Sequence, residues 1–287
     1  GVGLVANIKG ERSHEIVEQR IEVLINLGHR GACGADPRTG DGAGLLIQIP
    51  HEFFAKECAA LDIDLPHRGE YAVGMTFLPQ EPDQRRRCEA IIESVVESEG
   101  QTFLGWRDVP VNPDAIGVLA AHAMPHVRQF FVRRSHDIAS ERHFELKLFV
   151  IRKQIEKSIN ASEMPEKDDF YICSLSSRTI VYKGLLVADQ IHPFFHDLEH
   201  ESIVSAFALV HSRFSTNTLG TWKLAHFFCY VLENCEIYTL RGNINWMTAR
   251  ESLFESDVLG DDVQKLLPIV APGQSDTATF DNALELL

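Results

Sequence analysis

Residues 28–44 decide how this chain is organised, and they read GHRGACGADPRTGDGAG. The stretch holds six glycines and one proline, a composition that favours a long loop with several turns. Before it, Ser13 is placed to cap a helix whose apolar residues recur at helical spacing over positions 17–25. After it, residues 45–49 (LLIQI) predict a strand that Pro50 stops. The loop is therefore predicted to connect a helix to a strand.

The rest of the chain is richer in predicted strands than in helices. Further strands are predicted at residues 3–8, 71–78, 144–151, 170–181 and 203–210. Helices are predicted at residues 83–99 and 152–159. Many strands with few intervening helices indicate an α+β or layered α/β fold and not a doubly wound parallel sheet. No internal repeat, low-complexity linker or domain boundary is visible.

Composition excludes several classes of function. The net charge of −14, from 41 acidic and 27 basic residues, argues against nucleic acid as a main partner. No apolar run approaches the ~20 residues of a membrane helix, so we expect no membrane association and a cytoplasmic protein, with a plastid location left open. The six cysteines form no Cys-x-x-Cys pair, and no histidine lies at zinc-ligand spacing beside them. We expect no metal site, and we expect Cys33 to be a packed residue of the loop.

The glycine-rich end of the loop leaves two interpretations open. Gly40-Asp41-Gly42-Ala43-Gly44 is not a Walker loop, because no Gly-Lys-Ser/Thr follows it. It is not a dinucleotide fingerprint either, because it precedes a strand and does not link a strand to a helix. The motif is either a sharp turn into the strand or a backbone wall against which a small substrate binds.

Three polar segments are candidates for ligand recognition. Arg213 follows a buried-looking strand in HSRFSTNT (211–218), where its guanidinium could bind a carboxylate or form a structural salt bridge. Asn234 could donate its amide to an oxyanion or simply form a turn. Asp276 could present a carboxylate to a ligand amine or cap a helix. No hydrolase triad or G-x-S-x-G elbow is present.

Taken in order, these pieces resemble one family, the class II glutamine amidotransferase domain of glutamate synthase large subunits. The resemblance covers essentially all of residues 1–287, which would then form one amidotransferase domain of a longer chain with central and flavin-binding regions. The segments that carry it are GERSHEIVEQ, HRGACGAD, TGDGAG, SLSSRTIVYKGLL, HSRFSTNT, TLRGNINWM, QKLLPIVAPGQSD and DNALELL.

The resemblance implies an α+β fold, a four-layer αββα sandwich of the N-terminal nucleophile hydrolase type. In this family an N-terminal cysteine thiolate attacks the glutamine side-chain amide, with its own α-amino group as the base. The nucleophile is therefore expected immediately before Gly1. No cofactor is expected in this domain; FMN and an iron–sulfur cluster are expected in the rest of a full-length synthase. The expected partners are glutamine, glutamate, the remaining synthase domains and a small electron-donating subunit.

The resemblance also assigns roles to individual residues. Arg213 should bind the substrate α-carboxylate, and Asp276 the α-amino group. Asn234 should supply the oxyanion-hole amide, while Arg30 and Gly31 should line the site near the nucleophile.

Two departures from the family pattern keep an alternative open. Family members begin Cys-Gly-Val-Gly, whereas this sequence begins Gly1-Val2-Gly3. Where the family has a glycine whose N–H completes the oxyanion hole, this chain has Cys235. The alternative is a catalytically inactive amidotransferase-like module that binds an amino acid or supports assembly.

Overall fold

The computed structural model describes residues 1–34, 36–213, 220–225, 231, 239–270 and 274–286. The strands are β1 (Val2–Ala6), β2 (Ala43–Gln48), β3 (Tyr71–Leu78), β4 (Thr102–Asp108), β5 (His126–Arg133), β6 (Tyr171–Ser176), β7 (Thr179–Gly184) and β8 (Phe207–Ser212). The helices are α1 (His14–Asn26), α2 (His51–Ala60), α3 (Pro82–Ser98), α4 (Val118–His122), α5 (Glu141–Asn160), α6 (Ile191–Phe194), α7 (Leu240–Arg250), α8 (Val263–Leu266) and α9 (Asp276–Leu286). Short 3-10 turns connect several of them, including Gly28–Arg30, Ala188–Gln190 and His196–Glu199.

The strands form two antiparallel sheets of four strands each. Sheet 1 has the order β1-β8-β2-β7, and sheet 2 has the order β4-β5-β3-β6. The main core joins the apolar faces of the two sheets with the buried sides of α1 and α2. A second core lies between sheet 2 and helices α3 and α5. The predicted α+β sandwich of the N-terminal nucleophile hydrolase type is confirmed.

The strand predicted at residues 144–151 is wrong, because this segment is the first half of α5. Ser140 caps the helix by accepting a hydrogen bond from the His143 N–H. One face of α5 packs against sheet 2, while Phe149 and Val150 on another face pack against the segment around α8. Burial on two faces produces a nearly continuous apolar run, which resembles a buried strand. The helix predicted at 152–159 is its second half.

Other predicted elements differ from the structure mainly at their ends. The strand at 71–78 is confirmed as β3, and the helix at 83–99 corresponds to α3. The run at 170–181 is two strands, β6 and β7, which belong to different sheets. Two strands, β4 and β5, were not predicted.

Candidate functional site

A pocket of about 260 Å³ opens at the end of β8. Its walls come from three segments that are distant in sequence: the loop after α1, the turn after β7, and the residues that end β8. The lining residues are Ile25, Gly28, Gly31, Ala32, Cys33, Gly42, Leu186, Val187, Ala188, Asp189, Ser212 and Arg213. Of the motif at residues 40–44, Gly42 lines this pocket, and the motif also leads directly into β2.

The first residue of the sequence lies beside this pocket. The backbone nitrogen of Gly1 donates to the Ser212 carbonyl at 2.6 Å, and the Ser212 N–H donates to the Gly1 carbonyl at 2.8 Å. Strands β1 and β8 are antiparallel, with Val2 opposite His211. Continued by two positions, this register places a residue preceding Gly1 opposite Arg213.

Gly31 and Arg30 lie close to the same strand ends. A β carbon on Gly31 would lie 2.6 Å from the Ser212 hydroxyl oxygen, so a larger residue here would require the Ser212 side chain to move. A β carbon on Gly1 would lie 2.9 Å from that of Arg30. The structure thus brings Arg30, Gly31 and Arg213 together around the start of β1.

Arg213 is a buried cation that is held at both its backbone and its side chain. Its side chain is 6% exposed. Its N–H donates to the Gly42 carbonyl at 2.9 Å, and its guanidinium donates to the Asp41 carbonyl at 3.4 Å. Burial lowers the pKa of Arg213, while the nearby carboxylates of Asp41 and Asp276 oppose that change. An arginine remains charged under these conditions, so the pocket presents a fixed positive charge.

Asp276 is the first residue of α9 and is half-buried. Its carboxylate accepts a hydrogen bond from the Thr277 N–H at 2.8 Å. Its electrostatic effect on Arg213 places it in the same neighbourhood, although it does not line the pocket. Asn234 and Cys235 lie outside the described residues.

Three pocket residues were missed or misjudged from the sequence. Cys33, expected to pack in its loop, is exposed and lines the pocket, and its backbone pairs with Gly40 across the loop. Ser212 lies next to Arg213 in the motif, but only the antiparallel register shows that it pairs with Gly1. Asp189 lines the pocket from the turn after β7, and no motif marks it.

Neither a metal site nor a membrane helix is found among the residues that the structure describes. Within those ranges, no three His, Cys, Asp or Glu side chains are grouped so as to hold a metal ion. None of the described helices has the length and apolar character needed to span a bilayer.

The two-sheet fold is the one expected for this family, and comparison with known families identifies it. The family model "Glutamine amidotransferases class-II" matches residues 1–287. The chain therefore belongs to the class-II glutamine amidotransferase family.

Among individual proteins, the chain is similar to the front part of glutamate synthases. It is 52% identical to the glutamate synthase [NADPH] large chain of Bacillus subtilis over 285 residues, which are 99% of this chain and 18% of that protein. It is 42% identical to ferredoxin-dependent glutamate synthase 2 of Synechocystis over 288 residues, covering 100% of this chain and 18% of the relative. It is 43% identical to the glutamate synthase [NADH] of Schizosaccharomyces pombe over 292 residues, 100% of this chain and 14% of that protein. The chain thus spans less than a fifth of the length of these relatives.

Proposed function

We propose that this chain is the glutamine-hydrolysing domain of a glutamate synthase. The observation that carries the proposal is the position of Arg213, a buried cation in a pocket beside the start of β1. In the proposed reaction, the nucleophile is a cysteine that precedes Gly1. The register of β1 and β8 supports this assignment, since that position falls opposite Arg213.

The charges around the pocket suit the amino-acid end of glutamine. Arg213 would bind the α-carboxylate with its planar fork of N–H donors. Asp276 would hold the α-ammonium group, and its effect on the pKa of Arg213 supports a position close to the arginine. A volume of about 260 Å³ is near the lower end of ligand pockets (~300–1,000 Å³), which suits a single amino acid. Fixing the two charged groups would direct the side-chain amide towards the nucleophile.

The chemistry then follows the logic of an activated N-terminal thiol. The α-amino group of the cysteine accepts the thiol proton, and the sulfur bonds to the side-chain amide carbon of glutamine. The carbon–nitrogen bond breaks, and the nitrogen takes up that proton and leaves as ammonia. Water hydrolyses the resulting thioester to release glutamate and restore the thiol. The side-chain amide of Asn234 and the N–H of Cys235 would stabilise the oxyanion of each tetrahedral intermediate. Arg30 and Gly31 would line the site beside the nucleophile.

The remaining steps belong to the rest of a synthase polypeptide. We propose that ammonia passes to 2-oxoglutarate at a flavin site, with FMN and an iron–sulfur cluster outside residues 1–287. A small electron-donating subunit would be a further partner. The relatives support this extension, since their names identify them as glutamate synthases that use NADPH, NADH or ferredoxin.

The test uses the full-length protein with its mature N-terminal cysteine directly before Gly1. Glutamate release from glutamine should be measurable, and Arg213→Ala should raise KM by about 10- to 100-fold with a smaller change in kcat, because a charged hydrogen-bonding partner of the substrate is lost. Arg86→Ala is the control, since this exposed arginine pairs with Asp83 on the surface of α3. An unchanged KM in Arg213→Ala would reject the assignment. Glutamine binding by calorimetry without turnover would support the inactive binding module instead.

A further inference from the structure

Two walls of the pocket are packed directly against each other. One is the loop of residues 28–44, and the other is the turn from Leu186 to Gln190 that follows β7. A β carbon on Gly40 would lie 2.4 Å from the Leu186 carbonyl oxygen, so the two backbones are in close contact. The width of the pocket depends on how these walls are held together.

The side chain of Gln190 connects them. It is 5% exposed, and its amide oxygen accepts a hydrogen bond from the Val187 N–H at 3.0 Å. Its amide nitrogen donates to the Arg38 carbonyl at 2.8 Å, across 152 positions of sequence. These partners fix the orientation of the Gln190 amide. The Val187 N–H must face the amide oxygen, which accepts, and the Arg38 carbonyl must face the amide nitrogen, which donates. Gln190 does not line the pocket, so it does not contact a ligand there.

Two other hydrogen bonds of the loop tip lead to a different part of the fold. Thr39 accepts a hydrogen bond from the Ala120 N–H at 3.2 Å, and the Arg38 guanidinium donates to the Asp114 carbonyl at 2.8 Å. Both contacts join the loop to α4 and the residues before it. Gln190 is the side chain that joins the loop to the turn bearing Val187, Ala188 and Asp189.

We infer that Gln190 is a positioning residue that sets the separation of two pocket walls. The identity of the ligand, glutamine, rests on the proposed function, whereas the connection between the walls does not. Replacing Gln190 removes two partly buried hydrogen bonds and lets the loop bearing Gly31 and Cys33 move away from the turn. The expected consequence is weaker ligand binding with the catalytic groups intact.

Cys33 provides a measurement that does not require activity. It is exposed, and it lies in the loop that Gln190 holds. The rate of Cys33 alkylation by iodoacetamide, followed by peptide mass spectrometry, therefore reports on this wall. In Gln190→Met the rate of Cys33 alkylation should change by about threefold or more, and the Kd for glutamine should rise by about tenfold, since each lost hydrogen bond weakens the connection between the two walls. In the active full-length enzyme, KM should rise while kcat is largely retained.

Gln101 offers a matched control. It is 4% exposed, its amide oxygen accepts a hydrogen bond from the Ser135 N–H at 2.9 Å, and its nitrogen donates to the Glu99 carbonyl at 3.4 Å. It thus makes the same kind of connection between two backbone groups, after α3 and away from the pocket. Gln101→Met should destabilise the fold to a similar extent without changing Cys33 alkylation or glutamine affinity.

The outcomes separate this inference from the proposed function. If glutamine does not slow Cys33 alkylation in the wild type but Gln190→Met still changes the rate, the connection holds and glutamine is the wrong ligand. If glutamine protects Cys33 equally in the wild type and Gln190→Met, the inference is overturned while the proposed function stands. Should Gln190→Met fail to fold, Gln190→Glu keeps the acceptor for Val187 and loses the donor to Arg38. In Gln190→Glu, the rate of Cys33 alkylation and the Kd for glutamine should each change in the direction expected for Gln190→Met. Wild-type values of both quantities would overturn the inference.

Discussion

Arg20 and Arg213 are both buried arginines, but their surroundings differ. Arg213 has the carboxylates of Asp41 and Asp276 nearby. Arg20 is fully buried on α1, and its Nε and Nη2 atoms have no hydrogen-bond partner within the described structure. It occupies the centre of the apolar face of α1, so helical spacing places its guanidinium beneath Gly3 of β1. A buried charge without a partner opposes folding.

Arg20→Met should therefore stabilise the protein. Burial lowers the pKa of Arg20 from its usual value to about 10, so the charged form is disfavoured in the folded state. Because the folded pKa lies below the unfolded one, this penalty is fully present below about pH 10 and declines above it. We expect the free energy of unfolding to rise by about 1 to 4 kcal/mol in urea denaturation, and equally at about pH 6 and pH 9. Arg86→Met on the exposed face of α3 should change it by less than about 0.5 kcal/mol. A destabilised Arg20→Met would mean that the guanidinium has a stabilising partner.

At the scale of elements, helix α5 shows why the local pattern of apolar residues predicted the secondary structure incompletely. Helix α3 buries one face at helical spacing, and strand β3 is buried along its whole length, so the sequence located both. Helix α5 packs on two sides, against sheet 2 and against the region around α8, so its helical period is obscured. Strand β4 has few apolar residues and contains Gly105 at a register shift, which weakens its strand pattern.

The docking of α9 on α5 should depend on pH. Glu285 on α9 has a side chain that is 7% exposed and forms an ion pair with Arg152 of α5. Burial raises the pKa of Glu285 from 4.5 to about 7, against the opposing effect of Arg152. The pKa of Glu285 is thus higher in the folded state than in the unfolded state. The contribution of Glu285 to stability is therefore complete below about pH 4.5 and is lost as the pH rises through 7.

Glu285→Gln should remove this dependence. We expect the wild type to lose up to about 3 kcal/mol between about pH 4.5 and pH 8 relative to the variant. The measurement is urea denaturation of both proteins across that range. Glu141→Gln, at an exposed ion pair with Arg178, is the control and should track the wild type. Equal pH profiles for wild type and Glu285→Gln would show that Glu285 titrates normally. Because α9 begins at Asp276, its docking also affects the electrostatic environment of Arg213.

At the scale of the whole molecule, the site required information that local sequence does not contain. Arg213 and Asp276 were assigned because long motifs resemble a family, and Gly31 because it belongs to one of them. Gln190 belongs to no recognisable motif. Its proposed role depends on the contact between residues 38 and 190, which are distant in sequence and adjacent in the fold. The exposure of Cys33 likewise depends on how the loop pairs with itself. Amino-acid composition excluded classes of function but did not identify any residue of the site.

The two sheets are joined by a buried polar network whose loss should affect the whole fold. Arg107 of β4 donates to both carboxylate oxygens of Asp197, at 2.7 and 2.9 Å, and the Tyr182 hydroxyl of β7 donates to Asp197 at 3.0 Å.

The Asp197 side chain is 1% exposed, so Asp197→Ala leaves Arg107 charged, buried and without its main partner. This variant should lose about 3 to 5 kcal/mol of unfolding free energy, whereas Tyr182→Phe, which removes one hydrogen bond, should lose about 1 to 2 kcal/mol. The double variant Arg107→Met/Asp197→Leu should be more stable than Asp197→Ala, because the one charge it leaves without its partner, Glu57, has a side chain that is 38% exposed to water. Urea denaturation followed by both fluorescence and circular dichroism measures all three. If the double variant is as unstable as Asp197→Ala, the network stabilises the fold through shape and not through charge pairing.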